Sequence, residues 1–441
     1  MFLVDLLHRQ DRKNDMGNKK VVFCIIMFLV ILIFGIVGPD LSNRDEYTQD
    51  RYVTTTETTE LASSTDVVDE TLNTEEIATP QEPEDDFDQV YAQYDPNDKY
   101  IMSKEVEKKI DQMVQDMTIE EKVGQIFFIK NDGRFDGSIL DKYPAGGVIL
   151  FKGDFSGKTE DQIKANIADL QENSKVPLLI GVDEEGGQVV RLSCYSHLVP
   201  EQFKSPRDIF YTSDYEGIRQ DTITKSELLL SYGINVNFAP VCDVPDSSAD
   251  FIYSRALCEN VDLIVNYTGL MVDTMEECGI GSVLKHFPGY GNNGDTHNGI
   301  VKDSRPREEF DSTDLIPFKA GVEAGAWCIL VSHVVVECMD PAYQASLSPE
   351  VHRILREEIG YNGVIITDDL MMGAVSEVFS EGDAAVQAVL SGNDMILSTD
   401  YQVQYAAVLR ATKSGEISEE QLDESIKRIL RWKYTLGLLD I

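Results

Sequence analysis

Eight short apolar runs separated by stretches of helical periodicity constrain this chain more than any other feature. They fall at 125–129, 147–151, 177–182, 236–241, 282–286, 328–333, 363–367 and 394–398. Runs this short and this continuously apolar fit strands buried on both faces, and strands that alternate with helices pair in parallel. The pattern predicts an α/β fold, a (β/α)8 TIM-like barrel, with an open doubly wound sheet as the alternative. No G-x-G-x-x-G follows the first run and no P-loop occurs, so the marks of a nucleotide-binding sheet are missing. Ahead of the first run, 104–117 is charged and amphipathic at helical spacing, and Thr118-Ile-Glu-Glu reads as a capping box opening a second helix.

A parallel barrel collects its chemistry at the C-terminal ends of its strands. The third run leads into Asp183 and on to Arg191, the fifth into Lys285 and His286, the sixth into His333, and the seventh into Asp368 and Asp369. One such strand end is an ordinary solvated cap, whereas four together call for a site. After His286 both periodicities break, and Pro288, Gly289, Gly291, Gly294 and Gly299 mark a long loop. Asp295 and His297 lie two residues apart in that loop. A carboxylate that accepts from one ring nitrogen sets the tautomer and raises the basicity of the other, so this pair is a candidate acid/base couple.

The barrel needs only the later part of the chain. Residues 21–38 form an eighteen-residue run without a charge, close to the roughly 20 that span a bilayer. Arg9, Arg12, Lys13, Lys19 and Lys20 precede it and Asp40 follows, which places 1–20 in the cytoplasm and the rest outside the cell. We therefore expect a signal-anchor at 21–38, an acidic disordered linker at 39–101 and the catalytic barrel at 102–441. Cleavage and secretion is the alternative. A net charge of −39 argues against nucleic acid as a partner. Cys194, Cys242, Cys258, Cys278, Cys328 and Cys338 follow no C-x-x-C rhythm, which leaves free thiols and disulfides both open. They have no ligand spacing with the histidines, so no metal is expected.

The stretch KHFPGYG followed by GDTH, 285–291 and 294–297, resembles the KHFPGHG and Asp-Ser/Thr-His signature of the beta-N-acetylhexosaminidase branch of glycoside hydrolase family 3. The pattern VDxEGG with a following Arg is met by Val182 to Gly187 and Arg191. A Ser/Thr-Asp-Asp/Trp motif is met by Thr367, Asp368 and Asp369. Arg255, in Tyr253-Ser-Arg-Ala-Leu257, stands where the family has an Arg, with Leu257 and Cys258 replacing Phe-Gly. Tyr290 departs from the family's second His. The resemblance covers about 106–441. It implies that Asp183, Arg191, Arg255, Lys285 and His286 bind the sugar, that Asp368 is the nucleophile, and that Asp295 and His297 form the acid/base dyad. Beta-glucosidases of the family commonly take their acid/base from a further C-terminal domain; here the chain stops at Ile441, so the barrel loop must supply it.

The resemblance thus implies a retaining, exo-acting beta-N-acetylhexosaminidase that releases terminal beta-N-acetylglucosamine from a cell-wall or related glycan through a covalent glycosyl-Asp intermediate. No cofactor is expected, and a membrane-anchored monomer is. Substrate-assisted catalysis using Asp368 and Asp369 ranks lower, because successive residues at a strand end point in opposite directions. A phosphorylase, another family 3 beta-glycosidase, and a non-catalytic cell-surface glycan-binding protein are the alternatives.

Overall fold

The computed structural model describes residues 98–296 and 299–441. The expected anchor at 21–38 and the acidic stretch through residue 97 lie outside them. Among the described residues no helix is long and apolar enough to cross a membrane. The barrel unit takes in residues assigned above to the linker: Asp98–Tyr100 forms a 3-10 turn, and the buried Tyr100 packs edge-on against Trp327 and Tyr361, with centroids 4.9 and 5.7 Å away. An acidic, polar run gave no sign of this one aromatic anchor.

The first helix, Lys104–Asp116, is capped by Ser103 and buries Val106, Ile110 and Val114, four residues apart. Such burial contributes about 1.5–3 kcal/mol per side chain. Thr118 and Glu121 form the expected capping box of Ile119–Gln125. Eight parallel strands follow: β1 (Phe127–Lys130), β2 (Gly147–Leu150), β3 (Leu179–Val182), β4 (Val236–Asn237), β5 (Gly281–Phe287), β7 (Cys328–Val331), β9 (Val364–Thr367) and β10 (Ile396–Ser398). Their order is β10-β1-β2-β3-β4-β5-β7-β9. The Ile366–Met395 bridge, with the Met395 N–H donating to the Ile365 carbonyl at 3.0 Å, draws the two edges together. The result is a nearly closed parallel barrel, consistent with the TIM-like architecture expected and not with an open sheet.

All eight expected strands are present, with altered ends. β4 stops after Asn237, well short of the expected 241, because the Ala239 N–H turns back onto the Asn237 carbonyl at 2.8 Å; beyond it only a single parallel bridge, Val241 to Lys285, continues the pairing with β5. A pair of two-residue strands, β6 (Lys302–Asp303) and β8 (Val335–Val336), forms a separate parallel ribbon that the periodicity did not reveal. Inside the barrel Phe128 and Phe238 meet edge-to-face at 5.2 Å. Gly181 makes room for them, since a Cβ there would lie 2.6 Å from the Phe238 ring. This aromatic pair, from β1 and the end of β4, reaches across the barrel interior, so functional groups are confined to the rim. Gly279 closes the helix Val261–Cys278 with φ 78°, a left-handed turn that glycine adopts without strain, and sends the chain straight into β5. The six cysteines listed above are free thiols, three of them buried.

Candidate active site

Lys285, at the C-terminal end of β5, is the hub of a charge network at the barrel mouth. Its Nζ lies 2.8 Å from Asp183 Oδ1 and 2.6 Å from Glu185 Oε1. Arg255 forks onto the same Glu185, with Nε 3.0 Å from Oε2 and Nη2 2.7 Å from Oε1. Arg191 Nη2 reaches Asp183 Oδ2 at 3.2 Å. Burial alone would drive the Glu185 carboxyl up, but Arg255 and Lys285 outweigh it and hold it far below the usual carboxylate range. The same contest, won by Lys285 and Arg191, holds Asp183 down. Burial favours neutral Arg255, yet the Glu185 charge keeps its guanidinium ionised.

His286 completes the network. Arg255 Nη2 lies 3.0 Å from its Nε2, and a guanidinium can only donate, so Nε2 accepts. The ring proton then sits on Nδ1, which donates to Asp243 Oδ2 at 2.8 Å. Five residues selected from sequence, Asp183, Arg191, Arg255, Lys285 and His286, therefore meet in one cluster. Among the described residues no group of His, Cys, Asp and Glu side chains is arranged to hold a metal ion.

Asp368 follows β9, and its Oδ1 accepts the Asp369 backbone N–H at 2.8 Å. The Asp368 charge acts on the Tyr290 phenol, whose ring centroid lies 5.2 Å from that of His286, so Asp368 shares the mouth with the network. Asp369 turns elsewhere: its carboxylate accepts from the Met371 N–H at 3.1 Å and from the Thr399 hydroxyl. His333, noted at the end of β7, braces this peptide, with Nε2 3.0 Å from the Asp369 carbonyl and Nδ1 2.7 Å from Ser346 Oγ.

The glycine-rich loop is tied down from below. Asn293 Nδ2 donates to the Tyr290 carbonyl at 2.8 Å and to Asp303. Arg305 clamps Asp303 Oδ2 at 2.8 Å and Asp314 Oδ2 at 2.9 Å. Burial raises the Asp314 carboxyl to about 6 in spite of Arg305. Asp295 is half-buried on this loop, while His297 lies outside the described residues.

Sequence reasoning passed over Glu185, Asp243 and Phe151, and marked Tyr290 only as a departure from the motif. Asp243 ends the 236–241 run as Asp368 ends its own, so the strand-end rule would have found it. Glu185 was legible only as part of a motif. Phe151 carried no signal, yet its ring lies 4.2 Å from Lys130 Nζ and 5.0 Å from the Arg191 guanidinium. A cavity of about 210 Å³ lined by Gln125, Leu140, Pro144 and Val176 opens at the opposite, N-terminal end of the strands, away from all these charges.

Comparison with known proteins agrees with this geometry. Residues 118–432 match the model of the Glycosyl hydrolase family 3 N terminal domain. A curated "Beta-hexosaminidase" of Xanthomonas campestris pv. campestris (strain B100) is 35% identical over 260 residues, 57% of this chain and 76% of that protein. A solved glycoside hydrolase family 3 beta-N-acetylglucosaminidase from Paenibacillus sp. str. FPU-7 superposes with a TM-score of 0.67 at 30% identity, over 73% of this chain and 63% of that one. A beta-glucoside phosphorylase shares the fold, with a TM-score of 0.68 at 23% identity over 77% of this chain and 62% of its own. With the match spanning most of the chain and a charged cluster at the expected strand ends, this chain belongs to glycosyl hydrolase family 3 and is a glycoside hydrolase.

Proposed function

We propose that this enzyme is a retaining, exo-acting beta-N-acetylhexosaminidase that removes terminal beta-N-acetylglucosamine from a cell-wall or related glycan. The observation that carries the reading is the single network joining Asp183, Glu185, Arg255, Lys285, His286 and Asp243 in the mouth that also holds Asp368. Fixed ionic donors and acceptors of this kind bind sugar hydroxyls through strong, directional hydrogen bonds. The likeness to beta-hexosaminidases supports the acetamido sugar as substrate.

In this mechanism Asp368 attacks the anomeric carbon, forming a C–O bond as the glycosidic C–O bond breaks. His297, oriented by Asp295, gives its proton to the leaving oxygen. It then takes a proton from water, whose oxygen attacks the anomeric carbon and releases Asp368. An imidazole with a pKa near 6.5 serves in both directions at neutral pH. The Asp369 carboxylate, engaged by Thr399 and Met371, favours Asp368 as nucleophile over a substrate-assisted route. The charge-free run at 21–38 supports placement of the enzyme on the outer face of a cell membrane.

The test is hydrolysis of p-nitrophenyl beta-N-acetylglucosaminide by the full chain, with the beta-glucoside as control and phosphate as a second acceptor. Turnover of the acetamido sugar alone, nearly abolished in Asp368→Asn and reduced in His297→Ala, is the expected result. The His297 loss reaches about 10²- to 10⁴-fold on poor leaving groups. Silence on both sugars, or an Asp368→Asn variant that keeps most of its rate, would overturn the assignment. Sugar phosphate as the sole product would make it a phosphorylase.

A further inference from the structure

We propose that Tyr290 is a positioning residue whose hydroxyl latches the acid/base loop onto the barrel through Thr296. The proposal rests on the dyad reading above but concerns a residue in which this chain departs from the motif it resembles.

Tyr290 is 2% exposed, and Thr296 is fully buried. The phenol oxygen lies 2.7 Å from Thr296 Oγ1, and the backbone N–H of Tyr290 donates to Asp243 Oδ1 at 2.8 Å. One residue therefore holds the base of the loop to Asp243 and its far limb to Thr296. Thr296 directly follows Asp295 and precedes His297 in the chain. The ring is itself wedged edge-on between His286, 5.2 Å away, and Phe251, 5.6 Å away. Burial first, and the Asp368 charge second, push its ionisation upward, so it stays an uncharged O–H.

The loop needs such a latch because it carries Gly289, Gly291 and Gly294 ahead of the dyad and Gly299 behind it. Glycine surrenders more conformational freedom on ordering than any other residue, so a chain this rich in it is held only by external ties. An imidazole at position 290 is shorter than a phenol, and its nitrogens stop short of the position the Tyr290 oxygen occupies.

Three variants of the full chain test this: Tyr290→Phe, Thr296→Val and the double substitution. Hydrogen exchange over 288–299 is followed first, since it needs no substrate. Each single variant is expected to exchange about fivefold faster there, the equivalent of one hydrogen bond. The double variant should be no faster than either single, because both remove the same bond. In kinetics, Tyr290→Phe should lose about 10- to 100-fold in kcat on an alkyl N-acetylglucosaminide, where protonation of the leaving oxygen matters. On the p-nitrophenyl glycoside, kcat should change little and KM should stay near the wild-type value. A fourth variant, Tyr290→His, should lose the rate as Tyr290→Phe does. Unchanged loop exchange, or additive effects of the two single variants, would overturn the latch; so would equal rate losses on both leaving groups. If the wild type cleaves no N-acetylglucosaminide, the functional reading falls while the exchange data still decide the latch.

Discussion

Asp243 Oδ2 accepts both the backbone N–H of His286, at 3.0 Å, and its ring Nδ1–H, at 2.8 Å. The other oxygen takes the Tyr290 N–H, so one fully buried carboxylate sets the tautomer of a histidine in the charged network and the start of the loop that follows it.

Asp243→Asn is therefore expected to cost about 1–3 kcal/mol of stability. The new amide offers donors to a site made of donors and leaves at least one buried N–H unmet. His286 is freed at the same time, so kcat/KM should fall by at least about tenfold, or ~1.4 kcal/mol. Thermal denaturation and steady-state kinetics check both, and a variant unchanged in either would contradict the role given to Asp243.

Glu185→Gln should cost more, about 3–5 kcal/mol in urea denaturation, because it leaves Lys285 and Arg255 buried against a neutral amide. The exposed Lys175–Glu121 pair is the control, where Glu121→Gln should cost less than about 1 kcal/mol. Glu185 is held below its unfolded pKa. Its contribution is thus present above that pKa, near 4.3, and is lost as pH falls below it. The stability gap between wild type and Glu185→Gln should close in acid; a gap that widens there would show that the ion pairs are not its source.

Lys433 runs the opposite way. It is fully buried in the last helix, Glu419–Thr435, with Nζ 2.8 Å from Gln125 Oε1, and burial pushes its pKa down to about 7. The unfolded chain binds this proton more readily than the folded one between pH 7 and about 10.4, so stability rises with pH across that window. Lys433→Met should be more stable at pH 7 by about 1–3 kcal/mol and should flatten the rise. Parallel denaturation curves at pH 7 and pH 9.5 decide it, and a destabilised variant would mean the ammonium is compensated.

The elements legible from the chain were those with local causes. Eight apolar runs became the eight strands of the barrel, and Thr118 with Glu121 closed the predicted capping box. The strand-end rule found Asp183, Lys285, His286 and Asp368, because position at the end of an apolar run is a property of sequence. It also flagged His333, whose observed contacts brace the Asp369 peptide.

Tertiary structure decided which of these groups face one another. Glu185 and Asp243 emerged as partners only when β3, the loop after β4 and β5 converged. Lys285 lies 102 residues from Asp183, and Arg255 lies 70 from Glu185. The pairings depend on barrel closure, which no local window contains. The same holds for Tyr290. Sequence marked it as a departure from a motif, but its meaning came from the fold of the loop that brings its hydroxyl to Thr296, six positions on. Hydrophobic periodicity specifies which segments become strands because apolar burial is a per-residue gain. Ion pairs and hydrogen bonds are pairwise, and which pairs form is set by the path of the chain between them.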